Sequence, residues 1–241
     1  MESQVAEEDT SAPQNPSRKG RGLARGTARA VGNVLLGIAI GLISYYGITD
    51  VVAAMEQTRL QEQLAELGLS EALPPDRTVE PAPNPFEEWE EEDFAFWEEL
   101  EDGGVFGRLV APAMELDTAI VKGHSRDNLK RGPVWVSYTD YPGPTGNVGI
   151  SGHRTTYGAP FFRLNELQLG DTVDVFSPFR QYRYEVIDVF RVTPEHTEVL
   201  QTTDLPHLTM TACDPPYSAQ YRLIVQSKLV GIALLDSDEG E

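Results

Sequence analysis

The sequence predicts a mainly β protein: a small antiparallel β-barrel carried behind an N-terminal transmembrane helix. Three observations carry that prediction. Between residues 103 and 236, strand-like runs recur at short intervals, separated by Gly, Pro, Asn and Asp. Several runs alternate polar and apolar residues, as Arg183 and Glu185 do against Tyr184 and Val186, which suits an antiparallel barrel better than a parallel sheet. Finally, residues 30–49 contain no charged side chain. At 1.5 Å per residue that run spans about 30 Å, the thickness of a bilayer core.

The bulk properties set limits. The chain has 241 residues, enough for one sizeable domain with appendages. Its formal net charge of -19 argues against a nucleic-acid partner, because phosphate binding needs clustered Lys and Arg. A single cysteine, Cys213, rules out an internal disulfide. That thiol is either a buried apolar filler or a reactive group.

Residues 1–29 read as a cytoplasmic tail, polar and aperiodic at first, then basic with Arg18, Lys19, Arg21, Arg25 and Arg29. Residues 30–50 form the anchor. Tyr45 and Tyr46 sit near its end, where interfacial aromatics belong, and the basic flank puts the N-terminus inside and the rest outside. Ala53-Ala54 resembles a cleavage site, but the leader is long for a signal peptide, so the segment reads as an uncleaved anchor. Residues 51–85 are expected to be a stalk helix, stopped at Gly68, and a proline-rich spacer. Residues 86–102 hold Phe86, Trp89, Phe94, Phe96 and Trp97 among many Glu and Asp, with no Lys or Arg. They read as a short acidic amphipathic helix, docked or solvated; a flap over an active site is the sharper alternative. Residues 237–241 are an acidic tail.

In the 103–236 domain, strands are expected at 106–110, 118–121, 147–151, 172–176, 182–192, 208–213 and 221–232, with a helical turn or two near 161–167. Cys213 ends one strand, a Pro-Pro turn follows, and Arg222 opens the next. An arginine beside a thiol lowers its pKa or holds a developing oxyanion. Of the four histidines, His124 and His196 lie in polar turns and His207 precedes the Cys213 strand. His153 follows a strand and Gly152, so it is presented rather than buried. One His, one Cys and one Arg at strand ends point to thiol chemistry. A zinc site from His153, Cys213 and an Asp lacks the usual short-spaced ligand pairs.

His153 in Ser-Gly-His-Arg-Thr-Thr-Tyr-Gly-Ala-Pro-Phe, Cys213 in Thr-Met-Thr-Ala-Cys and Arg222 in Tyr-Arg-Leu-Ile-Val resemble the catalytic motifs of sortases, in the family's order. The histidine motif is particularly similar to class E sortases of high-GC Gram-positive bacteria. The resemblance runs from about residue 106 to 231. It implies a closed barrel of about eight strands, no cofactor or metal, and a single-pass membrane enzyme with its catalytic domain outside the cell. The implied reaction cleaves a C-terminal LPxTG- or LAxTG-like signal between Thr and Gly, then joins the protein to a peptidoglycan or pilin amine. Cys213 is then the nucleophile, His153 the acid and base, and Arg222 the oxyanion holder. Thr211, Ala212, Tyr138 and Tyr141 are expected on the substrate.

Two departures bear on that reading. The family usually has threonine where Ala212 stands, so a hydroxyl near the site is expected to be missing. Asp140-Tyr141-Pro142 keeps the tyrosine of a class E His-Tyr-Pro segment but not its histidine, so Tyr141 leans the signal toward LAxTG. Two other functions compete. A non-catalytic display module on the same barrel is one. An L,D-transpeptidase is the other, but it needs histidine two residues before the cysteine, where Thr211 stands.

Overall fold

The computed structural model describes residues 17–69 and 85–235, with side chains from residue 27 onward. The expected disordered start, most of the proline-rich spacer and the acidic tail lie outside those residues. The chain divides after Tyr46 into two compact units.

Helix α1 (Ser17–Glu66) is continuous, so anchor and stalk are one element. Thr27–Glu66 is long and apolar enough to cross a membrane, with a mean hydropathy of 1.7 over its most apolar 18 residues. Gly68 ends it as expected, with φ of 73°. The amide of Leu69 donates to Leu64 O at 2.8 Å and that of Gly68 to Ala65 O at 3.0 Å, a Schellman cap that needs the left-handed residue Gly68 supplies. The far end of the helix is not a free stalk. Leu60 and Leu64 are fully buried with Val105, Ala119, Val121, Val134 and Phe176. Gln57 donates to Arg131 O at 2.7 Å and accepts from Thr118 Oγ1 at 3.0 Å.

Eight strands close the barrel: β1 (Val105–Ala111), β2 (Leu116–Lys122), β3 (Val134–Trp135), β4 (Asn147–Ser151), β5 (Thr172–Phe176), β6 (Arg180–Val192), β7 (His207–Asp214) and β8 (Tyr221–Leu234). Their order around it is β1-β2-β3-β4-β7-β8-β6-β5. The pleat sorts side chains by parity. Phe106, Ile120, Trp135 and Val175 point into the main core. Their neighbours Val105, Val121, Val134 and Phe176 point outward, where α1 covers them.

The barrel is not wholly antiparallel. β2 pairs β3 in parallel, and β4 pairs β7 in parallel. A parallel pair needs a long crossover. The β4-to-β7 connection supplies one by containing β5 and β6. Strand β3 is the element absent from the expected set; two residues are too few to show a period. The expected turn near 161–167 is a single 3-10 turn, Leu164–Glu166.

The acidic segment belongs to the barrel core. It forms a π-helical turn (Glu90–Phe94) and α2 (Ala95–Glu99). Trp97 is fully buried, stacks on Phe106 at 5.0 Å and donates to Phe106 O at 2.8 Å. Buried Arg180, at the start of β6, holds Glu92 at 2.6 Å, Asp93 at 2.5 Å, and the carbonyls of Pro85 and Glu87. Lys122 Nζ bonds the carbonyls of Trp97 and Leu100. Burial pushes the Asp93 carboxyl up, against the pull of Ser177 and Arg180.

Candidate active site

The parallel pairing builds the site. Ser151 on β4 is in register with Thr211 on β7. His153 and Cys213 each come two residues later, so both leave the same end of the barrel. Gly152 extends the ladder by one bond, donating to Thr211 O at 3.1 Å. A Cβ there would lie 2.7 Å from the Phe161 ring, so only glycine passes between that ring and the strand. Arg222, near the start of β8, is directly opposite Cys213 in the antiparallel β7–β8 ladder. The three residues expected to carry chemistry thus lie at one end of the barrel, Cys213 on β7, Arg222 on β8 and His153 just past β4.

Each side chain has a distinct setting. Cys213 is free and partly buried. His153 packs against the Tyr157 ring, with centroids 5.2 Å apart. Desolvation, then the nearby Lys130 charge, holds its pKa below the usual histidine value, favouring the neutral imidazole. The Arg222 guanidinium donates to Ala219 O at 3.2 Å and Tyr221 O at 3.1 Å. Those bonds fix one edge of a cation that lines a surface groove.

That groove lies along the outer face of the β4, β7 and β8 ends. Val134, Val136, Ser151, Thr211, Arg222 and Ile224 line it, and Tyr138, His124 and His196 stand around it. Among the described residues no carboxylate lines it, although the chain's net charge is -19. His124 contacts Ser137 Oγ at 3.2 Å and packs edge-on against Tyr138. His196 pairs with Glu198 at 2.5 Å. His207 opens β7 at the far end of the barrel.

Two expected substrate residues, Thr211 and Tyr138, line the groove. The other two do not. Ala212 is buried in the main core. It follows Thr211 and precedes Cys213, so the pleat turns its side chain to the opposite face. A hydroxyl at this position would enter the barrel, not the site. Tyr141 lies in the loop before β4, at the far end. It stacks on Trp135 at 4.8 Å and Trp97 at 5.4 Å, and donates to Glu98 at 3.0 Å. Burial and that carboxylate push its phenol up to about 12. The acidic segment, expected docked or solvated with a flap as the alternative, docks away from the groove. No residue of 86–102 lines the groove, and Arg180, which holds that segment, starts β6 at the end away from Val192, the partner of Arg222.

Sequence reasoning missed one feature here. Buried Arg154 and buried Asp214 form an ion pair beneath the site. Their only sequence signal is position, each following a residue of the candidate catalytic set.

The closed barrel thus carries a thiol, an imidazole and a guanidinium at one rim. The sortase-domain profile matches residues 109–230, half of the chain, and the chain belongs to the sortase family, whose members are cysteine transpeptidases. It is 30% identical over 147 residues to sortase SrtE1 of Streptomyces coelicolor, a match covering 54% of this chain and 42% of that one. The chain thus spans less than half the length of that relative. In three dimensions it resembles sortase E1 of Streptomyces coelicolor solved with a tripeptide in the active site (TM-score 0.53, 26% identity, 58% of this chain and 96% of that one). Its fold also matches a Clostridium perfringens sortase D5 transpeptidase (TM-score 0.58, 23% identity, 73% and 99% coverage).

Proposed function

We propose that this chain is a membrane-anchored transpeptidase that cleaves a C-terminal LPxTG- or LAxTG-like sorting signal between Thr and Gly. It passes the released surface protein through a Cys213 thioester to a cell-wall or pilin amine. The observation that carries the proposal is the parallel β4–β7 register, with His153 and Cys213 two residues past Ser151 and Thr211 and Arg222 opposite the thiol.

The steps follow from the groups present. The Cys213 sulfur adds to the threonine carbonyl as its proton passes to the neutral His153 imidazole, and Arg222 faces the oxygen that becomes negative. The C–N bond then breaks. His153 gives a proton to the departing glycine amine, leaving a thioester. An incoming amine adds to that thioester, loses its proton to His153, and expels the Cys213 sulfur, which takes that proton back as the thiol. Atoms and protons balance without a cofactor. Val134, Val136 and Ile224 line the groove between β4, β7 and β8, and among the described residues no carboxylate does, which suits an extended, uncharged peptide. The tripeptide in the active site of Streptomyces coelicolor sortase E1 supports a peptide substrate. Helix α1 serves as the anchor, with its basic flank in the cytoplasm and the barrel outside.

Mass spectrometry of the full chain in lipid nanodiscs tests this. An LPxTG or LAxTG peptide should leave an acyl adduct on Cys213 and none on Cys213→Ala. Absence of adduct, cleavage and transfer with every such peptide sinks the proposal. A Cys213 that also stays unreactive toward alkylating agents, with tight binding to a wall component, leaves the display-module reading.

A further inference from the structure

Beneath the candidate catalytic end sits a buried ion cluster that the chemistry above does not use. Arg154 and Asp214 are only 4% and 1% exposed. Nη1 of Arg154 bonds Oδ1 of Asp214 and lies 3.4 Å from the carbonyl oxygen of Cys213 itself. Its Nη2 donates to Asn165 Oδ1 at 2.6 Å. Arg191, near the end of β6, brings Nε within 2.5 Å of the other Asp214 oxygen, an ion contact without an aligned N–H.

Stability alone does not account for such a cluster. Burying charges costs heavily, and replacing a buried pair with apolar residues is often neutral or stabilising. Its placement is more telling. His153 stands in a loop beyond the last residue of β4, and that loop continues through Tyr157 and Ala159, both at positive φ. On one side of His153, Gly152 bonds Thr211 O. On the other, Arg154 bonds Asp214 and reaches Cys213 O. The imidazole is thus bracketed by two ties, and both end on the strand that carries the thiol. Asp214 shares a peptide with Cys213 and points to the opposite face, so holding one holds the other.

The geometry points to Arg154 and Asp214 as positioning residues that keep the His153 imidazole in register with the Cys213 thiol. The inference rests on the transpeptidase reading for its effect on turnover. Its geometric content can be tested without a substrate.

The test is the pH profile of Cys213 alkylation by iodoacetamide on the full chain, with folded fraction followed by circular dichroism. Wild type should show an inflection from the neighbouring imidazole, and His153→Ala should lose it. Asp214→Asn, nearly isosteric, should lose it too, while Arg154→Lys should keep part of it. On a sorting peptide, Asp214→Asn should lower kcat by about 10- to 100-fold with KM within about twofold, the scale of a misplacement near 1 Å. Any of three results overturns the inference: no imidazole inflection in wild type, a wild-type profile in folded Asp214→Asn, or losses that follow the folded fraction alone. Should Asp214→Asn not fold, a wild-type profile in Arg154→Lys, with kcat also unchanged at matched folded fraction, overturns it equally. A wild type that turns over no sorting peptide defeats the transpeptidase reading, and the alkylation profiles still judge the tie.

Discussion

The two ends of the barrel use the same materials for opposite purposes. Each buries an arginine against carboxylates: Arg180 with Glu92 and Asp93 at one end, Arg154 with Asp214 at the other. At the first, the arginine binds an upstream segment whose Trp97, with Tyr141, Trp135 and Phe106, fills that end of the barrel with stacked rings. At the second, the ion pair lies under a rim where His153, Cys213 and Arg222 stay at least partly exposed. A plug needs burial and shape, so it is rich in aromatic surface. A reactive rim needs access and fixed direction, so its rigidity comes from polar ties below it.

If the ends are separate in this way, mutations should divide between stability and rate. The largest effect comes from exchanging targets. Trp97→Ala, which opens a cavity in the plug, should cost about 3–5 kcal/mol in chemical denaturation yet leave turnover per folded molecule near wild type. Arg222→Ala should do the reverse, cutting kcat by roughly 100- to 1000-fold with little change in stability. Equal losses of both quantities in either variant would dissolve the distinction.

A smaller effect sharpens the boundary between rim and core. Ala212→Thr restores the family's usual residue, but the added atoms enter packed interior. It should lose about 1–3 kcal/mol by denaturation and leave kcat per folded molecule within about twofold. A tenfold gain in kcat would mean that the side chain faces the substrate.

The smallest effect concerns charge at the rim. Desolvation and the Lys130 cation both disfavour the His153 imidazolium. Its midpoint, read by NMR, should lie below about 6.5, and Lys130→Ala should raise it. The sign carries over to stability. A histidine with a depressed folded pKa contributes stability above its unfolded value, and loses it as pH falls through the folded one. An unchanged midpoint in Lys130→Ala would remove that cation from the account.

Much of this was legible beforehand. The expected strands 147–151 and 172–176 coincide with β4 and β5, because period-2 patterning between turn residues is a local property. Gly68 announced the helix stop for the same reason. Trp97 was harder: an acidic run with interleaved rings reads equally as docked or solvated until Arg180, far away in sequence, is seen to pair with Glu92 and Asp93. At Ala212 adjacency in sequence does not give adjacency in space, because in a strand the residue next to Cys213 faces the other way, into the core.

What the chain determined by itself was local: where helix and strands start, which residues carry thiol, imidazole and guanidinium chemistry, and a charge-free run fit to cross a bilayer. What only the tertiary structure decided was that β4 and β7, separated by β5 and β6, lie side by side and parallel. That single non-local pairing sends His153 and Cys213 out of the same end, with Arg154 and Asp214 meeting beneath them. No local pattern encodes it, since the period of a strand specifies a buried face and not the neighbour on its edge.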